Sequence, residues 1–282
     1  MTVYCRFRTE KQAHPIGVLE NFNMEKNMNH KLNWLLIAAA LWLGTAMSET
    51  YAQEEAIPSL VPAERMDKEW WSARHEANKK RIAEGNVDLL MIGDSITHRW
   101  DTMGEEVEKY YYGDRNCVNM GFDGDHTQHV LWRLADAPMD KIHPKAAMLL
   151  IGANNICVDR PNIAEETALG IQACVDKLQT LYPDIKILLL SIFPTGEAPD
   201  FPMRKVLADV NRLLPGIFFR EQYKNVTLMN MDYLWLGAED HIPQYLMWDH
   251  DHPSKLGYKL WGAEVEATLA KMLGVEPKKA ME

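Results

Sequence analysis

Residues 87–98 read "VDLLMIGDSITH". A short apolar run ends at Gly93 and is followed at once by Asp94 and Ser95. A run of this length bounded by glycine predicts a buried strand. Asp and Ser are common N-cap residues, so one interpretation is a strand, a turn and the start of a helix. The second interpretation is that Ser95 is a nucleophile held at the carboxyl end of the strand.

Short apolar runs recur along the rest of the chain and alternate with amphipathic stretches. The predicted strands are 87–93, 117–121, 146–152, 185–192 and 226–231, and helical patterns cover about 64–84, 127–137, 164–182, 203–223 and 255–273. Buried strands that alternate with helices are typical of a parallel sheet covered on both faces. The sequence therefore predicts one α/β domain, whose ligands would bind at the carboxyl ends of the strands.

Composition narrows the possible partners. The chain has 282 residues, of which 47% are apolar and 25% charged, as in an ordinary globular protein. The net charge of -10 provides no basic face for nucleic acid. Beyond residue 52 the cysteines are Cys117, Cys157 and Cys174, without the spacing of a zinc site or a disulfide framework. They are predicted to be small core residues, and a single disulfide among them is the alternative.

The N-terminal region has the layout of a secretory signal. A short basic segment after Met28 precedes an apolar run from Trp34 to Leu43, and small residues lead to Ala52. The run is shorter than the ~20 residues that a membrane span needs. We expect residues 1–52 to be an extension plus a cleaved signal peptide, and residues 53–282 to be an exported periplasmic or secreted domain without a stable membrane anchor. The alternative is that the apolar run is a buried helix of the mature protein.

Serine is a poor nucleophile unless a base removes its proton. Near the C-terminus, "MWDHDHPSKLGY" offers Asp249 and His252, whose spacing lets both side chains share one face of a turn. Donors for an oxyanion are available at strand ends: the N–H groups of Ser95 and Gly121 and the side-chain amide of Asn154. Taken singly, each of these features is more often a turn, a loop amide or a surface pair.

Aromatic and polar residues near these segments are predicted to contact the substrate. Trp70 and Trp71 precede the first strand, where core packing is the ordinary role and a sugar platform the alternative. The predicted substrate-binding residues are Trp100, Asp125, His126 and Trp248.

The segments "GDSIT", "NMGFDGDHTQHVLWRL", "IGANN" and "DHDHPSKLGY" together resemble the four signature blocks of the SGNH (GDSL-type) hydrolases. The second is especially similar to the catalytic subunits of intracellular platelet-activating-factor acetylhydrolases and their bacterial relatives. The resemblance implies a three-layer α/β/α flavodoxin-like fold, with a central parallel sheet of about five strands, and ester hydrolysis without metal or cofactor. It also implies that Ser95 is the nucleophile and that His252 is the base, with Asp249 as its partner. Gly121 and Asn154 would complete the oxyanion hole.

Several alternatives remain open at this point. The expected function is a serine esterase that removes short acyl groups, above all acetyl, from a small-molecule or glycan ester. The first alternative is a lipid acylhydrolase: a lysophospholipase, a thioesterase or an enzyme like platelet-activating-factor acetylhydrolase. The second is an inactive glycan- or partner-binding protein on the same scaffold. The run Asp249–His252, with His241, is also a candidate metal site, and a homodimer is possible.

Overall fold

A parallel sheet forms the centre of the fold. In the computed structural model, which describes residues 56–158 and 160–282, five strands form one sheet in the order β2-β1-β3-β4-β5. The strands are β1 (Leu89–Gly93), β2 (Cys117–Gly121), β3 (Ala146–Leu150), β4 (Lys186–Leu190) and β5 (Val226–Met229). β1 and β3 are neighbours, and the chain runs outward from them in opposite directions. This is the switch point of flavodoxin-like sheets, outside which ligands bind.

Each face of the sheet carries its own apolar core. Side chains alternate along a strand, so Leu90 and Ile92 enter one core while Leu89 and Met91 enter the other. All four are buried, which explains why β1 is apolar throughout instead of alternating with polar residues.

The helices complete a three-layer α/β/α arrangement. In the described residues they are α1 (Glu69–Ala83), α2 (Ser95–His98), α3 (Glu105–Tyr112), α4 (Thr127–Asp136), α5 (Ile163–Leu181), α6 (Pro202–Phe218), α7 (Asp232–Trp235) and α8 (Lys255–Leu273). Helices α4, α5 and α6 pack with Leu90 and Ile92, whereas α3, α7 and α8 pack with Leu89 and Met91. The predicted fold class is confirmed.

The predicted helices differ from the observed ones at several positions. The first begins at Glu69, and the fourth ends at Phe218 before a separate 3₁₀ turn at Glu221–Tyr223. The sequence pattern also missed α3, "EEVEKYYY", because it is short and its charged residues outnumber the buried ones. Tertiary packing of Val107, Tyr111 and Tyr112 stabilises this helix.

The region from Ile57 to Glu282 forms one compact unit. The predicted signal peptide, its apolar run and its cleavage position all lie outside the described residues. Within residues 56–158 and 160–282, no helix is long and apolar enough to span a membrane.

Candidate active site

Ser95 is the first residue of α2, and only Asp94 separates it from the end of β1. Asp94 is the N-cap, and its carboxylate accepts the N–H of Ile96 at 3.0 Å. At Gly93, any Cβ would collide with the carbonyl oxygen of Leu150 on the neighbouring strand, so the turn needs glycine there. Both interpretations of the opening stretch are therefore compatible: Asp94 caps the helix, and the cap places Ser95 at the edge of the sheet.

Three side chains form a continuous hydrogen-bonded chain at this edge. The Nε2 atom of His252 lies 2.9 Å from Oγ of Ser95, and its Nδ1 atom lies 2.8 Å from Oδ2 of Asp249. When Nδ1 carries the proton, His252 donates to Asp249 and accepts from Ser95. The other carboxylate oxygen of Asp249 accepts the backbone N–H of His252 at 2.8 Å, which closes the turn. This arrangement can activate a serine hydroxyl.

The carboxyl groups of Asp249 and Asp94 differ in the direction in which their pKa values shift. Burial raises the pKa of Asp249, but the hydrogen bonds and charge of His252 outweigh burial and leave the pKa below its ordinary value. Asp249 is therefore a carboxylate at neutral pH, as a partner for an imidazolium must be. Burial raises the pKa of Asp94 to about 7, so Asp94 is partly protonated at neutral pH and adds less negative charge beside Ser95.

Two adjacent asparagines follow β3, and the structure distinguishes them. Asn155 is buried, and its side chain accepts the N–H of Thr127 and donates to the hydroxyls of Thr127 and Ser59. Asn154 is only partly buried, and its Nδ2 atom donates to the carbonyl oxygen of Asp125 at 3.0 Å. Because an amide nitrogen carries two hydrogens, Asn154 retains donor capacity, whereas Asn155 links structural elements.

The structure contradicts the predicted role of Gly121 as an oxyanion donor. Its N–H donates to the side-chain oxygen of Asn119 at 2.8 Å, and a Cβ on Gly121 would collide with the backbone of α2. Gly121 is needed for close packing. Gly124, in the loop after β2, has φ +70° and its N–H has no hydrogen-bond partner in the described part of the chain. The sequence signal for Gly124 was the second glycine of "GFDG", which a turn between strand and helix explains equally well.

Gly124 lies between two residues that are anchored near Ser95. The carboxylate of Asp123 lies 3.0 Å from Nδ1 of His98, the last residue of α2. The carbonyl of Asp125 is bound by Asn154. The loop after β2 therefore lies between α2 and the loop after β3.

The prediction that Trp100 and Asp125 bind the substrate is wrong, because both side chains are buried. Trp100 is 0% exposed and packs against the rings of Tyr112, Tyr258 and Trp261. Asp125 is also 0% exposed. Neither side chain can reach a substrate from these positions.

The other two predicted substrate-binding residues are accessible. Trp248 is 42% exposed, and its ring lies nearly parallel to that of His252 with 6.2 Å between centroids. His126 is partly buried at the N-terminus of α4, and its backbone N–H donates to Nδ1 of His129 at 2.8 Å. Trp70 is likewise 42% exposed and stacks beside His98 with 6.1 Å between centroids, whereas Trp71 is buried.

The residues of the "DHDH" run point to different neighbours. The Nδ1 atom of His250 lies 2.8 Å from the carbonyl oxygen of Ile242, while His252 bonds with Asp249 and Ser95. Across residues 56–158 and 160–282, no group of three or more His, Cys, Asp or Glu side chains is arranged to hold a metal ion.

A flavodoxin-like sheet with a Ser–His–Asp chain at its carboxyl edge has the architecture of a serine hydrolase. Residues 91–260 match the GDSL-like lipase/acylhydrolase family. The alpha2 subunits of platelet-activating factor acetylhydrolase IB from human and rat are each 32% identical over 212 residues, covering 75% of this chain and 88% of the relative. The chain belongs to the GDSL-like lipase/acylhydrolase family and is an ester-bond hydrolase. The family resemblance and the predicted enzyme class are confirmed.

Solved structures share the fold at lower identity. A GDSL-like lipase from Bacteroides thetaiotaomicron aligns with a TM-score of 0.54 and 17% identity, covering 72% of this chain and 97% of the other. An acetylxylan esterase from Geobacillus stearothermophilus aligns with a TM-score of 0.51 and 19% identity, covering 70% and 98%. Proteins with different named substrates therefore have this fold in common.

Proposed function

We propose that the protein is a serine esterase that removes acetyl groups from carbohydrate esters, with Ser95 as nucleophile, His252 as base and Asp249 as the residue that orients the base. The observation that carries the proposal is the hydrogen-bonded chain from Asp249 through His252 to Ser95, with distances of 2.8 and 2.9 Å.

The reaction proceeds through an acyl-enzyme. Oγ of Ser95 attacks the ester carbonyl carbon while Nε2 of His252 takes the hydroxyl proton, which gives a tetrahedral oxyanion. Collapse of this intermediate expels the alcohol, which receives that proton. A water molecule then attacks the acyl-enzyme, with His252 again as base, and releases acetate and the free serine.

Three donors are suited to stabilise the oxyanion: the N–H groups of Ser95 and Gly124 and the side-chain amide of Asn154. The N–H of Ser95 is at the start of α2, where the first backbone donors lack intrahelical partners. The N–H of Gly124 has no partner in the described residues, and Asn154 has a second amide hydrogen. Oriented donors of this kind act where negative charge develops.

Two observations support an acetylated carbohydrate as substrate. The relatives with 32% identity are named acetylhydrolases, which supports acetyl as the acyl group. Trp248 presents an exposed ring beside His252, and an aromatic face with nearby polar groups suits a sugar ring. Export, as the N-terminal sequence predicts, would bring the enzyme to acetylated polysaccharides.

Substitution of the nucleophile tests the chemistry. Ser95→Ala should fold like the wild type and lose nearly all turnover of p-nitrophenyl acetate, because only binding and oxyanion stabilisation remain. A fluorophosphonate probe should label the wild type at Ser95 and leave the variant unlabelled. Turnover of the variant at the wild-type rate would refute the proposed mechanism.

Chain length and glycan release test the substrate. Acetyl esters should be hydrolysed faster than octanoyl esters, and acetate should be released from acetylated xylo-oligosaccharides. A long acyl groove would add ~0.8 kcal/mol per buried methylene, so a lipid enzyme would show kcat/KM that rises with chain length. Trp248→Ala should raise KM for the oligosaccharide but not for p-nitrophenyl acetate. Phe219→Ala, at an exposed aromatic residue after α6, is the matched control.

A further inference from the structure

Arg65 contacts both residues that flank Gly124. Its Nη1 atom donates to the carbonyl oxygen of Asp123 at 2.8 Å and to the carboxylate of Asp125 at 3.0 Å. A Cβ built on Gly124 would lie 3.4 Å from both terminal nitrogens of Arg65. The guanidinium group therefore lies directly against the Gly124 backbone.

The carboxylate of Asp125 is fixed from two further elements. Trp71 on α1 donates to it at 2.8 Å, and Nε of Arg133 on α4 donates at 2.9 Å. Asp125 and Arg133 are both fully buried, so their charges are held out of solvent and depend on each other. This network joins the segment around Arg65, helix α1 and helix α4 at one carboxylate.

The backbone of Asp125 holds the side chain of Asn154, because the carbonyl oxygen of Asp125 accepts a hydrogen bond from Nδ2 of Asn154 at 3.0 Å. The buried side chain of Asp125 thus fixes a residue that adjoins two proposed oxyanion donors. Gly124 precedes Asp125 in the chain, and the Asn154 amide binds the carbonyl oxygen of Asp125. Gly124 itself, with φ +70°, offers little resistance to a change of backbone conformation.

We propose that Arg65 and Asp125 are positioning residues that hold the Gly124 N–H and the Asn154 amide in the geometry that stabilises the oxyanion. This inference rests on the proposed esterase mechanism. Neither residue touches the substrate in that mechanism. Their effect comes from preorganisation, since donors that must reorganise during the reaction stabilise the transition state less.

Arg65→Gln is the principal test, because Asp125 is buried and its replacement would leave Arg133 without its partner. Arg65 is partly exposed, so the variant should remain folded, with circular dichroism like that of the wild type. We expect kcat for p-nitrophenyl acetate to fall by about tenfold to a hundredfold with KM nearly unchanged, as misplacement of catalytic donors predicts. Arg65→Lys, which keeps the charge and one donor group, should recover part of the loss.

Benzeneboronic acid gives a second measurement that a structural defect alone would not change. Its tetrahedral adduct with a serine resembles the intermediate, so Arg65→Gln should weaken its binding by the same factor as kcat. Arg81→Gln is the matched control. Arg81 donates to the carbonyl oxygens of Gly85 and Asn86 in the loop before β1, at the opposite end of the sheet. It should leave kcat and boronate affinity unchanged.

The outcomes separate the inference from the mechanism on which it rests. If Ser95→Ala retains wild-type turnover, the esterase mechanism itself fails. If Ser95→Ala is inactive but Arg65→Gln keeps wild-type kcat and boronate affinity, the positioning role is refuted. A loss in Arg65→Gln that appears only in KM, or equally in Arg81→Gln, also refutes it.

Discussion

Two segments of the chain carry the same pattern, Asp-x-Asp-His: "DGDH" at 123–126 and "DHDH" at 249–252. In the second, the first aspartate turns back onto the histidine of its own segment, and that histidine reaches Ser95. In the first, the corresponding aspartate lies against His98, and the middle aspartate is buried among arginines. Identical spacing therefore has different consequences.

The neighbouring cations explain the difference. Arg65 and Arg133 bind Asp125, so its carboxylate is occupied and removed from solvent. Burial, followed by the charges of His129 and Arg65, lowers the pKa of His126 to about 4, and this imidazole is neutral at physiological pH. The backbone N–H of His126 donates to Nδ1 of His129 in the first turn of α4. Spacing determines which residues can meet, whereas the surrounding charges determine the role that each residue takes.

The distinction between the two segments fails if Asp249 and Asp123 contribute equally to kcat. Asp249→Asn should lower kcat by about 10³–10⁴-fold, because His252 loses the partner that fixes its tautomer. Asp123→Asn should change kcat less than about fivefold, since its partly exposed pairing with His98 is weak. Both are measured with p-nitrophenyl acetate at saturation. Equal losses in the two variants would contradict the distinction.

A second pair of substitutions tests Asn154, whose side chain binds the backbone of the segment 123–126. Asn154→Ala should reduce kcat by about 10²–10³-fold, with a smaller effect on KM, because a transition-state donor is lost. Asn155→Ala should keep kcat and lower the free energy of unfolding by about 1–3 kcal/mol, because buried partners such as Thr127 lose their hydrogen bonds. The reverse outcome would mean that Asn155 supplies the oxyanion donor.

The smallest effect concerns stability and pH. The pKa of His126 is about 4 in the folded protein, below its ordinary value of 6.5, so between these pH values the unfolded chain binds the extra proton. The contribution of His126 to the free energy of unfolding therefore increases from pH 4 to pH 6.5 and is constant above pH 6.5. His126→Gln should make the rise of Tm over this range smaller. Asp94, with a pKa of about 7, contributes with the opposite sign in both proteins and cancels in the comparison. An unchanged pH dependence would refute the assignment.

The fold and the core of the site could be predicted because the relevant signals are local. A buried strand such as β1 is apolar throughout, and its end is marked by Gly93. The Asp249–His252 pair lies within one turn, so sequence spacing alone brings these side chains together. The match of residues 91–260 to one family agrees with that reasoning.

The errors arose where remote residues decide burial. Trp100 stands close in sequence to Ser95 but turns into a core formed by rings of α3 and α8. Asp125 is neutralised by Arg65, 60 residues earlier in the chain. Gly121 is the last residue of β2 and Gly124 lies in the loop that follows, and the hydrogen bond from Gly121 to Asn119 distinguishes their N–H groups. Neither the rings around Trp100 nor Arg65 can be identified from local pattern.

The hydrogen bond between Ser95 and His252 joins residues 157 positions apart. The serine follows the first strand of the sheet at the start of α2, and the histidine follows the last strand, just before α8. In the proposed mechanism, synthesis on the ribosome therefore completes the nucleophile long before its base, and a nascent chain that ends after β4 lacks the histidine that would activate Ser95. The proposed esterase would hydrolyse its substrate only after the segment that carries His252 has folded against the end of β1.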